Sequence, residues 1–253
     1  MILQLDHFAS LMPSSVRTVG FPDAGFMLDH KNITGAWEYR ERYWQPADLL
    51  WNASANTNSA CIKKYGPVGD GWKCLMSQYI APLLTTPIFV MNSLHDLYQL
   101  TGGEGVLRFP CKLPPTAADC PSAAMQAFYD YRKDFISIVK ETVLNRPQNG
   151  AFLDSCLVHE QNIDACCGEP QPSKLNETRG GCCTNCAGWS LFSVPEVSDS
   201  SSVAKAELSD LQRRRTAQQA FGDWFFQRPS SSNYRFIDPV AWPENPSCPF
   251  CRH

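Results

Sequence analysis

The sequence predicts an α/β fold with a mainly parallel sheet, and three observations carry that prediction. Segments of helical periodicity alternate with short apolar runs, in the order helix, strand, helix, strand, helix, strand, helix. The run Thr86-Pro-Ile-Phe-Val-Met-Asn92 is apolar and bounded by Pro and Asn, as a strand covered on both faces is. A second short run, Ala151 to Ser155, leads straight into a loop holding Cys156 and His159. At 253 residues the chain suits one domain, residues 1–253.

Taken in order, residues 1–12 carry Ile2, Leu5, Phe8, Ala9 and Met12 at helical spacing. No capping residue precedes them, and the periodicity is under way at the first residue. The expectation is a chain that starts inside an element, with N-terminal strands of the fold missing. Val16 to Phe21 reads as a strand that ends in a turn at Pro22-Asp23-Ala24-Gly25. Residues 30–60 read as loop-rich, with scattered aromatics. Leu75 to Leu84 is helical in period. Ser122 opens a long helix to about Leu144, with Ala124, Phe128, Tyr131, Phe135, Ile138 and Val139 on its apolar face. Residues 164–188 hold five cysteines among Gly, Pro and Asn and read as an irregular disulfide-bound insertion. Ser198 to Ser202 reads as a polar linker. A helix of about Thr216 to Phe226 follows, with Ala217, Ala220, Phe221, Trp224 and Phe225 on one side and Gly222 marking a close approach. The tail from Phe236 is Pro-rich.

Composition narrows the function classes. A net charge of −3 and a pI near 5.9 leave no electrostatic footprint for nucleic acid and no polybasic membrane patch. No apolar run is long enough to span a bilayer. Twelve cysteines favour disulfides and an oxidising compartment, with Cys61–Cys74 and Cys111–Cys120 as local pairs. Zinc is the rival, since Cys183-x-x-Cys186 and Cys248-x-x-Cys251 have ligand-like spacing. The adjacent pairs Cys166-Cys167 and Cys182-Cys183 are unusual as ligand sets. Sequons occur at Asn32-Ile-Thr34, Asn52-Ala-Ser54 and Asn176-Glu-Thr178, all in polar, loop-like contexts. No signal-peptide pattern follows Met1.

Two residues then stand out together. Asp96 follows the first buried strand and His159 follows the next. Separately, each has a plain structural reading, Asp96 as a turn cap and His159 as a surface loop residue. Together they sit at the edge where open α/β sheets bind ligands. Acid before histidine is the second half of the order Ser…Asp…His. A histidine that deprotonates a serine hydroxyl needs a carboxylate to fix its tautomer and stabilise its cation. No Gly-x-Ser-x-Gly elbow occurs in the chain. Ser190 in Gly188-Trp-Ser-Leu-Phe192 lacks the closing glycine, and Ser93 and Ser155 lack the glycines such a turn requires.

Four segments give the chain a family resemblance. They are Leu5-Asp-His-Phe8 through Pro22-Asp-Ala-Gly-Phe-Met-Leu-Asp29; Thr86 through Asn92-Ser-Leu-His-Asp96-Leu-Tyr-Gln99; Gly150-Ala-Phe-Leu-Asp-Ser-Cys156-Leu-Val-His159-Glu-Gln161; and Ala220-Phe-Gly-Asp-Trp-Phe-Phe226 with Cys248-Pro-Phe-Cys251. In content and order the chain resembles the C-terminal part of a pectin acetylesterase, the group that includes the Notum-type carboxylesterases. The resemblance implies an α/β-hydrolase-like sheet flanked by helices and carboxylic-ester hydrolysis by a Ser-His-Asp triad, with no cofactor and no metal. Asp96 matches the family's triad acid and His159 its base. Asp23 falls in the family's Asp-Ala-Gly turn and receives no catalytic role. The family's nucleophile motif would lie just before Met1. The expectation is therefore a secreted or cell-wall monomer acting on an acetylated polysaccharide or another ester, its serine upstream of this chain. A Notum-type lipid deacylase and a non-catalytic glycan- or ester-binding protein are the alternatives.

Overall fold

In a computed structural model, the structure describes residues 2–101, 105–113, 115–116, 118–159, 193–195, 214–229 and 233–244. Its centre is a parallel sheet of β1 (Phe89–Ser93), β2 (Gly150–Asp154) and β5 (Arg235–Ile237), in that order. Every residue of β1 and β2 is buried, the polar Asn92, Ser93 and Asp154 at their C-terminal ends included.

The pleat sends alternate residues to two faces. Ile88, Val90, Ala151, Leu153 and Ile237 join a core with Phe128, Tyr131, Phe135 and Val139 of helix α6 (Ser122–Thr142). Phe89, Met91, Phe152 and Phe236 join a second core with Ala217, Ala220 and Trp224 of helix α7 (Ala217–Phe225). One sheet thus lies between two helical layers, the α/β architecture expected. The predicted faces of both helices are the buried ones, with Ile138, Phe221 and Phe225 packed at their margins. A capping box opens α7, with Thr216 Oγ1 accepting from Gln219 N–H and Gln219 Oε1 accepting from Thr216 N–H.

Several expectations are corrected. The segment read as the strand Val16 to Phe21 pairs instead through Gly20 and Asp23, in isolated parallel bridges to Ile88 and Met91. Around Pro22, Gly20 donates to Pro87 O, Gly20 O and Pro22 O accept from Phe89 and Met91, and Ala24 donates to Met91 O. Pro22 has no N–H to donate, so the ladder breaks there and the segment remains an irregular edge lane. The stretch read as loop-rich holds helix α2 (Gln45–Trp51), preceded by a π-helical turn at Arg40–Trp44, and ends at helix α3 (Ser59–Tyr65). Its aromatics pack on one another as Tyr39–Tyr43 and Tyr39–Trp44 pairs, which hides any simple period. The helical reading at residues 75–84 shortens to α4 (Ser77–Ile80) and a following 3₁₀ turn at Pro82. On helix α1 (Leu5–Leu11) and the 3₁₀ turn before it, Ile2 and Leu5 are buried whereas Phe8 and Met12 are exposed. Gly222 does not mark contact with the core: a Cβ there would meet the flexible end of Arg228 at 3.3 Å.

Strand β5 went unread because it lies at the start of the Pro-rich tail. So did a short antiparallel pair, β3 (Ser193–Pro195) with β4 (Arg214–Thr216). Both expected local disulfides are present, Cys61–Cys74 and Cys111–Cys120, with Cα–Cα distances of 5.7 and 5.6 Å. The readings of residues 164–188, Ser190, Ser198 to Ser202, Asn176 and both Cys-x-x-Cys pairs lie outside the described residues.

Candidate active site

The loops leaving β1 and β2 stay hydrogen-bonded after the strands end. Leu94 N–H donates to Asp154 O at 2.7 Å, Leu97 N–H donates to Val158 O at 3.2 Å, and the Ser93 hydroxyl donates to Cys156 O. Cys156 is itself in a disulfide. The loop carrying Asp96 is thereby held against the loop carrying His159.

Asp96 is the N-cap of a short helix, α5 (Leu97–Leu100), and Oδ1 accepts Gln99 N–H at 3.0 Å. The same carboxylate faces His159, whose Nδ1 lies 2.9 Å from Oδ1 and 3.0 Å from Oδ2. Asp96 is therefore a turn cap and the partner of His159 at once, because a carboxylate has about four acceptor positions. Asn92 Nδ2 donates to Oδ2 at 3.2 Å. The carboxyl is fully buried, and burial raises its pKa; the hydrogen bond and charge of His159 and the Gln99 N–H oppose that rise.

With Asp96 ionised, Nδ1 of His159 carries a proton and donates it to the carboxylate. Nε2 is then the nitrogen with a lone pair. The His159 side chain is 32% exposed while that of Asp96 is 0% exposed. The pair thus has a dry acid and a base that reaches the surface. Tyr98 stacks on the imidazole, with ring centroids 5.2 Å apart and planes at 28°.

A buried polar network fixes the acid. Phe26 N–H donates to Asn92 Oδ1 at 3.2 Å. Gln99 Oε1 accepts from Leu28 N–H at 3.1 Å and from the Tyr131 hydroxyl at 2.6 Å, and Gln99 Nε2 donates to Phe26 O at 3.2 Å. The sequence reading gives Asn92, Gln99 and Tyr131 no part in the site, although Gln99 stands at the N3 position of a helix capped by Asp96. Asp23 sits in the edge lane opposite Met91 and does not enter this network.

His95 is a surprise beside the pair. It is fully buried and stacked on Phe128 at 4.1 Å and 5°, and neither ring nitrogen has a hydrogen-bond partner among the described residues. Burial, and then the charge of Arg132, hold its pKa well below the usual histidine value, so the ring is neutral. Among the described residues, no group of three or more His, Cys, Asp or Glu is arranged to hold a metal. A cavity of about 770 Å³ lies beside α1, lined by Leu3, Gln4, Asp6, His7, Asn56 and Thr85 among others, and includes neither Asp96 nor His159.

A parallel sheet between helical layers, carrying an acid and a histidine in contact beyond adjacent strands, is the arrangement of the α/β-hydrolase class. The chain belongs to the pectinacetylesterase family, whose profile matches residues 1–179. It is 26% identical over 262 aligned residues to pectin acetylesterase 11 of Arabidopsis thaliana, covering 98% of this chain and 53% of that protein. The figures are the same for pectin acetylesterase 7 of that plant; for pectin acetylesterase 5 they are 21% over 261 residues, 98% and 48%. The chain therefore spans about half the length of the curated relatives it matches.

Proposed function

We propose that Asp96 and His159 are the acid and base of a serine carboxylesterase that removes acetyl groups from a polysaccharide. The observation that carries this reading is the contact between His159 Nδ1 and the buried Asp96 carboxylate at the C-terminal edge of two paired strands. Family membership supplies the ester chemistry. No Gly-x-Ser-x-Gly elbow occurs among the 253 residues, and the serine of the proposed triad is assigned to the rest of the whole protein.

His159 Nε2 takes the proton as a serine hydroxyl attacks the acetyl carbonyl. Asp96 keeps the ring oriented and stabilises the imidazolium, then His159 returns the proton to the leaving sugar oxygen. Water enters by the same route and releases acetate. The reaction is assigned no metal and no cofactor. We place the whole protein in the secreted or cell-wall compartment, as a monomer, with a Notum-like lipid ester as the alternative substrate.

Acetate release from acetylated pectin by the protein of the complete gene tests the proposal. Loss of turnover in His159→Ala and in Asp96→Ala, in variants that remain folded, is the expected result. Full activity in either variant rejects it. The 253-residue chain alone is expected to have no His159-dependent esterase activity.

A further inference from the structure

We propose that Asn52 is an N-glycosylation acceptor and that the sequon at Asn32 is not used. By motif the two are equivalent. The fold separates them. Asn32 is buried and both its amide oxygen and its amide nitrogen are hydrogen-bonded. Nδ2 donates to Glu38 at 3.0 Å, while Oδ1 accepts from Thr34 N–H, Thr34 Oγ1 and Ala36 N–H at 3.0, 2.7 and 3.0 Å. These bonds close the turn over residues 32–36, with Asn32 N–H donating to Ala36 O at 2.8 Å. A sugar on Nδ2 would replace one of its two hydrogens and need space inside the turn, beside Glu38.

Asn52 is the reverse. It is the residue after α2, in the left-handed region at φ 50° and ψ 41°, where asparagine is tolerated. Its backbone N–H closes the helix on Ala47 O and Asp48 O. Its side chain is exposed and makes no hydrogen bond among the described residues. A second, independent observation also points to a covering group. Leu49, Leu50 and Trp51, just before it, are 85%, 68% and 74% exposed, a run of apolar surface that a bulky polar group beside it would shield from water. A glycan rooted on the next residue supplies one.

The donor is a lipid-diphosphate-linked oligosaccharide of the secretory compartment. The C–N bond forms between Asn52 Nδ2 and the anomeric carbon, and the anomeric carbon–phosphate oxygen bond breaks. The lipid diphosphate leaves, and one amide proton passes to a base of the transferase. No oxidation state changes.

The inference rests on the secreted half of the proposed function and is independent of the esterase half. The test expresses the full chain behind a cleaved secretion leader in a glycosylating eukaryotic host, with Asn176→Gln to remove the remaining sequon. The leader supplies the compartment, so the result reports site choice whatever the native route is. Enzymatic deglycosylation in heavy-oxygen water tags each asparagine that carried a glycan, read by peptide mass. The expected result is a tag at Asn52 and none at Asn32 in the folded, secreted protein. Asn52→Gln should abolish the glycan mobility shift, whereas Asn32→Gln in secreted material should retain it. A tag at Asn32, or none at Asn52, overturns the proposal. Peptide mapping of the protein with both sequons intact gives the answer even if a variant fails to fold.

Discussion

Strand β1 has a carboxylate at each end, and the two are tuned in opposite directions. Before it, Asp6 of α1 accepts from Thr85 N–H at 3.1 and 3.0 Å, from Thr86 N–H at 2.9 Å and from Asn58 Nδ2 at 3.0 Å. Partial burial works to raise its pKa, but these donors outweigh burial and lower it. Beyond the strand, Asp96 accepts a comparable number of hydrogen bonds, yet full burial wins and its pKa is raised. Asp6 clips a helix to the sheet and is more stable ionised. Asp96 sits where burial disfavours its ionised form, and His159 beside it works against that penalty, the balance expected of a carboxylate that would stabilise an imidazolium.

Substitution of the Asp96–His159 pair breaks that contrast most strongly. In the complete protein, Asp96→Asn is expected to lower kcat by about 10⁴ and His159→Gln by about 10⁶, the losses seen when the acid and the base of a triad are removed in serine hydrolases. Steady-state kinetics at matched folded concentrations checks this. The stability effects should run the other way. Asp6→Ala leaves backbone donors at residues 85 and 86 without their acceptor and is expected to destabilise by about 1–2 kcal/mol in urea unfolding. Asp96→Asn removes a buried charge and should be within about 1 kcal/mol of neutral or mildly stabilising. A large loss of stability there would mean that Asp96 is chiefly structural.

The pH dependence separates the two ends further. An unfolded aspartate titrates near about 3.9. The lowered pKa of Asp6 gives stability that is full above that value and lost as pH falls through the folded pKa. The raised pKa of Asp96 has the opposite sign. The folded state holds the proton more tightly, so stability falls as pH rises from about 3.9 through the folded pKa. Asp96→Asn should flatten that segment of the stability curve, and Asp6→Asn should flatten the segment below it. Melting temperatures across the acid range read both.

His95 provides the smallest and sharpest test. Its depressed pKa means that the unfolded chain binds a proton which the folded chain refuses, so stability is lost as pH falls below about 6.5. His95→Phe keeps the stack on Phe128 and removes two buried nitrogens. It should stabilise the fold by about 1 kcal/mol or more and weaken the acid sensitivity in that window. No change in the pH profile would show that another group sets it.

The sequence made the centre of the molecule legible and its periphery less so. Helix α6 is long, and strands β1 and β2 open on apolar runs, so their patterns alone find them. Asp96 and His159 were readable because each follows one of those strands. The Asp96–Gln99 spacing also signals the N-cap, and capping does not compete with the contact to His159, since the one carboxylate makes both. Strand β5 has three residues and depends on its neighbour Leu153, whose O accepts Asp238 N–H, more than on its own composition. The edge lane at residues 20–24 was misplaced because Pro22, read as a turn, is a gap within a ladder. His95 carried no signal, since nothing local to a histidine tells whether its nitrogens find partners.

The most direct test of the central claim is nitrogen NMR of His159 in the 253-residue chain. It needs no nucleophile and no substrate. The account predicts a protonated Nδ1 and an unprotonated Nε2 near neutral pH, with Asp96→Asn reversing the tautomer. A ring with Nε2 protonated in the wild-type chain, unmoved by Asp96→Asn, would contradict it, because His159 would then have no lone pair to offer a serine and no working bond to Asp96.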